Sequence, residues 1–237
     1  MDILITGVSS GIGWGLSKYY LSKGDTIYGV SRRIPKDLMK YPNFKHLSTD
    51  LSKLDKINAN FQPFIRSITS LDIVVLNAGI LGEIKDLKEQ SIEDINSVMD
   101  INVWSNKVLI DILTKSIINI KSIVAISSGV SVKGNRGWGA YSISKASLNM
   151  LIQLYAAENK ATNFYALAPG LVDTDMQNYL CSDKLNTTLF PASQKLINAR
   201  NTDLMPSPLK AGELLANGIL KLQKLPSGSF EDIRKMV

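Results

Sequence analysis

Cysteine and histidine are almost absent: the 237 residues hold one of each, Cys181 and His46. A single cysteine excludes a disulfide framework and a thiolate-built zinc site. A single histidine leaves too few ligands for an imidazole-built metal site and weakens any Ser-His-Asp hydrolase reading. No metal is expected. Long apolar runs are missing too; none approaches the ~20 residues that span a bilayer, which excludes an integral membrane protein. The opening Met1-Asp2-Ile3-Leu4-Ile5-Thr6 has neither a basic n-region nor a long apolar core, so no signal peptide is expected and the cytoplasm is the expected compartment. Repeats, low-complexity tracts and linkers are also lacking. The Pro/Gly-rich points at 169–170, 206–208 and 226–228 punctuate elements without separating domains, so one domain over 1–237 is expected.

What is present has an ordinary globular balance, 45% hydrophobic and 20% charged residues, which excludes a disordered chain. The net charge of +6 comes from scattered Lys and Arg with no run of five, so neither nucleic acid nor a membrane is an expected partner. A Lys-rich solvated surface accounts for the surplus, which would also suit a polyanionic cofactor. Short Ile/Val-rich runs at Asp2–Thr6, Thr26–Val30, His46–Thr49, Asp72–Leu76, Ser122–Ser127 and Phe164–Ala168 predict buried strands. Helix-length stretches at about 11–23, 53–67, 89–118, 139–159 and 208–223 lie between or after them. That alternation predicts right-handed βαβ units and a parallel, doubly wound α/β sheet covered on both faces. The long, mixed stretch 174–207 reads as a lid or binding loop.

The first strand runs into Gly7-Val8-Ser9-Ser10-Gly11-Ile12-Gly13 and then a helix. Gly7 would permit the turn, Gly11 a close backbone approach to a pyrophosphate, and Gly13 tight helix–sheet packing, with the helix N-terminus facing the anion. An ordinary βα turn is the plain alternative. At the end of the second strand, the position where a carboxylate would bind a ribose 2′-hydroxyl is Ser31, followed by Arg32 and Arg33. A guanidinium grips a 2′-phosphate that a carboxylate would repel. The expected cofactor is therefore NADP(H), with Arg32 the better of the pair and Ser9 or Ser10 as helpers. Two solvated arginines are the alternative.

Tyr141 and Lys145 form a Y-x-x-x-K, a pattern repeated at Tyr19/Lys23 and Tyr41/Lys45. Position separates them, because only Tyr141 follows the fifth strand, on the side of the sheet opposite the adenosine half. Four-residue spacing puts Tyr141 and Lys145 on one helix face. Ser128 at the end of the fifth strand, Asn77-Ala78-Gly79 at the end of the fourth, and Pro169-Gly170 through Val172 and Thr174 after the sixth all fall at carboxyl ends of strands, where open α/β sheets bind ligands. Taken singly, each of these residues is more often a cap or a packing residue.

In this order, these motifs resemble the short-chain dehydrogenase/reductase family over nearly the whole chain, Thr6 to about Asp232. Gly137-Trp138-Gly139-Ala140-Tyr141 and the segment from Ala168 to Gln177 resemble its sepiapterin reductase and benzil reductase branch. The resemblance implies a Rossmann-type sheet of about seven strands and a carbonyl reductase. Ser128, Tyr141 and Lys145 would be catalytic, and Asn102 would hold a water relay. It also implies cofactor contacts at Asp50 and Leu51 near the adenine, Asn77, Ala78 and Gly79 at the middle, and Pro169, Gly170, Val172 and Thr174 beyond. Tyr141 would act as general acid, its pKa of about 10 lowered by the Lys145 ammonium together with the positive charge of the oxidised nicotinamide. Family members pair through the helices matching 101–118 and 141–158, so a homodimer or homotetramer is expected.

The substrate expected is a small ketone or α-dicarbonyl. Trp138 would form a wall, with Met176, Leu180 and Leu189 as lid contacts. Asp232 matches a carboxylate that holds the pterin ring in sepiapterin reductases; an exposed acidic residue near the terminus is the alternative. Trp14 and Trp104 are expected in the core or an interface, and His46 and Cys181 without a chemical role. Two other readings compete. One is a 3-oxoacyl thioester reductase, which needs an open, basic approach for a carrier protein. The other is an NADP(H)-sensing regulator without catalysis, which need not retain Ser128, Tyr141 and Lys145.

Overall fold

Side chains alternate across a strand, so a strand buried on both faces must be apolar at every position. In β1 (Asp2–Thr6), Ile3 and Ile5 enter one core layer and Leu4 the other, all fully buried. In the computed structural model, which describes residues 1–116, 119–183 and 185–236, this strand is third in a seven-stranded sheet. The other strands are β2 (Thr26–Ser31), β3 (Phe44–Ser48), β4 (Ser70–Leu76), β5 (Asn119–Ile126), β6 (Asn163–Ala168) and β7 (Phe230–Asp232). Their order is β3-β2-β1-β4-β5-β6-β7, and every pairing is parallel. The chain thus reverses its direction of travel across the sheet between β1 and β4, which opens a crevice beyond their carboxyl ends.

Helices α2 (Leu54–Ile65), α4 (Ser105–Lys115) and α5 (Gly139–Glu158) cover one face, sharing a core with Leu4, Val74 and Ile123. Helices α1 (Gly11–Ser22) and α8 (Pro208–Leu222) cover the other, against Ile3, Ile5, Val75 and Val124. The pair α1/α8 is set unusually close by glycine. A Cβ at Gly15 would stand 1.8 Å from the Pro208 carbonyl oxygen, and one at Gly212 would stand 2.3 Å from the backbone of Gly15.

The stretch expected as one helix over 89–118 is divided. Ser91 caps α3 (Ile92–Met99) through a reciprocal capping box with Asp94. A π-turn over Asp100–Trp104 then precedes α4. Positions 117–118 of that expectation lie outside the described residues. The π-turn re-aims Asn102 into the interior, where it is fully buried. Trp104, expected in a core or interface, is 45% exposed on that turn, whereas Trp14 is half-buried and its indole N–H donates to Asp37. The 174–207 stretch has more regular structure than its mixed pattern suggested. It contains α6 (Asp175–Leu180) and α7 (Pro191–Ala199), which share a small apolar cluster with Leu81, Ile84 and Trp138. Residue 184 within it is not described. Arg200 anchors the segment to Asp173 at 3.1 Å, and the Asp173 N–H donates to the Pro206 carbonyl.

Candidate active site

A cleft of about 990 Å³ runs along the carboxyl ends of the strands, from β3 to the 174–207 segment. Its walls carry most of the residues singled out by sequence: Gly7, Ser9, Ser10, Gly11, Ile12, Ser31, Arg32, Arg33, Asp50, Leu51, Asn77, Ala78, Gly79, Ser128, Trp138, Tyr141, Lys145, Pro169, Gly170, Val172, Thr174, Met176 and Leu180. Gly13, Asn102, Leu189 and Asp232 do not reach the wall. Gly13 lies beneath it, where a Cβ would collide with the Gly7 carbonyl oxygen at 2.5 Å. Leu189 points away and is 39% exposed. The other two Y-x-x-x-K pairs also lie off the cleft: Lys23 sits over the Tyr19 ring, and Tyr41 packs beneath Lys18.

One end of the cleft fits a dinucleotide. Ser10 precedes α1 in extended conformation and makes no side-chain cap, leaving the N–H groups of the first helical turn for an anion. Gly7 takes φ +76, a left-handed conformation in which its carbonyl folds toward the helix. Thr6 ties the two central strands together there: its hydroxyl accepts from the N–H of Asn77 at 2.9 Å and of Ala78 at 3.0 Å, and its carbonyl accepts from the Asn77 amide. Sequence reasoning treated Thr6 only as the strand's last residue; a hydroxyl at the end of the first strand was the available signal.

At the end of β2, Ser31 is buried, donates its hydroxyl to the Arg33 carbonyl at 2.7 Å, and lies 2.9 Å from His46 Nε2. Burial holds the His46 pKa below its ordinary value, so this pair is neutral. Arg32 and Arg33 are exposed, and Arg33 reaches the Ser10 hydroxyl at 3.3 Å. The nearest carboxylate on the wall, Asp50, accepts from the Ser52 N–H, which with the Arg32 charge keeps it ionised. Two exposed guanidinium groups beside an uncharged strand end match a phosphate better than a ribose diol.

At the other end, α5 brings Tyr141 and Lys145 to one face. The Lys145 ammonium donates to the Ile126 carbonyl at 2.8 Å and stands 5.7 Å from the Tyr141 ring centre. The Ser128 hydroxyl stands near the phenol on the same cleft wall and accepts from the Val130 N–H at 3.4 Å. A polar lattice fixes the strand end that carries Ser128: the Ser127 hydroxyl donates to Asn149 at 2.6 Å, and the Asn149 amide donates to Ser131 at 2.8 Å. Asn102 lies behind the wall, not on it. Its side-chain oxygen accepts from the Ile80 N–H, and its amide donates to the Ile80 carbonyl and to Ser144. A Cβ at Gly79 would meet Asn102 Oδ1 at 3.1 Å and Lys145 Nζ at 3.5 Å, so only a glycine edge separates these two residues. Ser127, Ser144 and Asn149 were missed by sequence reasoning, because a buried polar lattice has no local spacing signature.

The expected lowering of the Tyr141 pKa includes the charge of the oxidised nicotinamide; the chain's own residues, on balance, act in the opposite direction. Burial pushes the phenol up to about 12, against the smaller opposite pull of Ser128. Burial likewise pushes Lys145 down to about 8. Desolvation disfavours the charged form of both groups, and the ammonium lies beside the ring without bonding the phenolic oxygen. Trp138 meets the Tyr141 ring edge-on at 6.2 Å and forms a wall of the cleft. Asp232 is neither in the cleft nor solvated: it is buried at the end of β7 and paired with Arg234, and it is Arg234 that lines the cleft. The lone Cys181 is half-buried, and burial raises its pKa, which leaves it protonated. Among the described residues no cluster of His, Cys, Asp or Glu is arranged to hold a metal, and no helix is long and apolar enough to cross a membrane.

Residues 2–185 match the short chain dehydrogenase family model. A benzil reductase ((S)-benzoin forming) of Saccharomyces cerevisiae is 31% identical, covering 92% of this chain and 90% of its own. A 3-oxoacyl-[acyl-carrier-protein] reductase of Chlamydia muridarum is 31% identical over 78% of this chain and 79% of its own. The crystal structure of a Saccharomyces cerevisiae short chain dehydrogenase/reductase superposes with a TM-score of 0.85 at 26% identity, covering 98% of this chain and 95% of that one.

Proposed function

The chain belongs to the short-chain dehydrogenase family, in the branch that holds the benzil reductases, and is an oxidoreductase acting on C=O and CH–OH groups; we propose that it uses NADPH to reduce a small ketone or α-dicarbonyl to the alcohol. The observation that carries this reading is the convergence of Ser128, Tyr141 and Lys145 on one cleft whose far end offers Arg32 and Arg33 and no carboxylate at the β2 terminus. When bound, NADPH supplies the hydride; the chain supplies position, polarisation and a proton.

In this reading the Ser128 hydroxyl donates a hydrogen bond to the substrate oxygen as negative charge develops on it. Tyr141, protonated throughout the neutral range because burial raises its pKa, gives its phenolic proton to that oxygen. Lys145 stabilises the phenolate left behind, and its ammonium is held in place by the Ile126 carbonyl. Asn102 sets the Ile80 backbone and Ser144, so its part is to position the wall around Lys145. Trp138 and Met176 would enclose the substrate, with α6 and α7 as the lid. Arg32 and Arg33 would hold the 2′-phosphate, and the first turn of α1 the pyrophosphate.

A second reading, reduction of a 3-oxoacyl thioester, is favoured by one observation. Lys133 and Lys195 line the rim of the cleft, exposed, and neither is in an ion pair among the described residues. An acidic carrier protein needs such an approach. The test is NADPH oxidation with benzil, other diketones, pterins and acetoacetyl thioesters under identical conditions. Turnover with diketones and little with thioesters is expected. Turnover confined to thioesters selects the second reading, and NADPH binding without any turnover would select a regulator.

A further inference from the structure

Arg234 has an environment that its exposure alone does not explain. Its side chain is 62% exposed, yet its guanidinium is held by Asp232, whose side chain is only 11% exposed. Nε donates to Asp232 Oδ1 at 2.9 Å, Nη2 donates to Oδ2, and the Arg234 backbone N–H adds a third bond to Oδ1 at 3.0 Å. The guanidinium keeps Asp232 well below the usual carboxylate range, so the pair is ionised. An exposed ion pair contributes little to stability, but this one fixes a plane. With Nε and one Nη2 hydrogen committed inward, the outer edge formed by Nη1 and Nη2 is left facing outward, which is the bidentate fork that fits an oxyanion.

The fork stands next to the chemistry. Nη2 is 3.4 Å from where a Cβ would be at Gly129, the residue after Ser128, and the Arg234 Cγ is 3.4 Å from the same point at Gly170. The side chain thus lies across the ends of β5 and β6 and lines the cleft. Lys133 and Lys195 line the same cleft, while among the described residues the acidic ones on its wall are Asp50, at the β3 end, and Asp175. Bulky side chains at positions 129 and 170 would crowd the guanidinium out of this place.

Resting on the carbonyl reductase reading above, we propose that Arg234 is a specificity-determining residue, aimed by Asp232, that binds an oxyanion on the substrate, so that the preferred substrate is a carbonyl compound bearing a carboxylate or a phosphate ester. Asp232 is then a positioning residue, and the two rim lysines draw the anion toward the cleft.

The test compares matched charged and neutral carbonyls by NADPH oxidation: phenylglyoxylate against its methyl ester, and dihydroxyacetone phosphate against dihydroxyacetone. The charged member of one pair is expected to have the higher kcat/KM, and the pair that shows it identifies carboxylate or phosphate. Arg234→Gln should lower the charged-to-neutral ratio of kcat/KM about tenfold or more, mainly through KM, as expected for loss of a charge-assisted contact. Arg234→Lys, which keeps the charge and the Asp232 partner, should fall between, and decides the matter if the glutamine variant folds poorly. An unchanged ratio in both variants overturns the proposal. So does a rise in the KM for NADPH that is equal with both members of a pair, which would assign Arg234 to the cofactor. If the wild type reduces the neutral members without preferring the charged ones, this proposal fails and the reductase reading stands; if it reduces none of the carbonyls in either test, both fail.

Discussion

Arg32 and Lys145 are the residues whose physics can be read most directly. The hydroxyl of Ser31 stands where a carboxylate would select NAD(H), and two exposed arginines follow it, neither in an ion pair among the described residues. Arg32→Ala should therefore weaken NADPH by about tenfold or more, the loss of one charge-assisted contact of about 1.5–3 kcal/mol. NADH should be affected far less, and titration of cofactor fluorescence with both dinucleotides checks this. For Lys145 the sign follows from burial. Its pKa is lowered to about 8, so the ammonium is present below that pH and lost above it. The kcat/KM for carbonyl reduction should then be level below pH 8 and decline above it, while Tyr141 stays protonated across the whole range. A rate profile level to pH 10 would remove Lys145 from the mechanism.

At the scale of elements, the tight α1/α8 contact makes a demand on one atom. Gly15→Ala places a methyl where the Pro208 carbonyl oxygen already stands, so the helices must separate. A cost of about 2 kcal/mol is expected, typical of overpacking. For a chain of this size it should lower the Tm by roughly 5 °C, measured by calorimetry. The elements also show what was legible in the sequence. The central strands announced themselves because both-face burial forces uninterrupted Ile and Val, as in Ile73-Val74-Val75-Leu76, whereas β3, expected as a buried strand at His46–Thr49, is partly exposed and begins two residues earlier. The Gly-rich turn and Tyr141/Lys145 were legible because local spacing fixes their geometry. The division of 89–118 was not, since a π-turn inserts a single backbone residue, a phase shift too small to stand out in so short an apolar pattern. β7 has only three residues and is held by pairing with β6, so no period could have revealed it. Asp232 was misread for the same reason: its partner Arg234 is two residues away, but its burial depends on that strand pairing.

At the scale of the whole molecule, α5 and the π-turn beside it carry exposed apolar side chains. Ile143, Met150 and Leu154 on α5 and Trp104 on the π-turn are each more than 40% exposed, although α4 and α5 otherwise bury their apolar faces. Covering them with a second copy would remove this surface from water at about 25 cal/mol per Å². Light scattering on the eluting protein should give at least twice the monomer mass, and Leu154→Asp should shift it toward the monomer. The central claim is chemical: one phenol at the carboxyl end of the sheet delivers the proton that completes carbonyl reduction. Tyr141→Phe removes only that hydroxyl and leaves the cofactor end of the cleft untouched. With NADPH and benzil, or whichever carbonyl the wild type turns over, the variant should retain NADPH binding by fluorescence while kcat falls by about a hundredfold or more, the range for loss of a general acid. Full turnover in the phenylalanine variant would contradict the account.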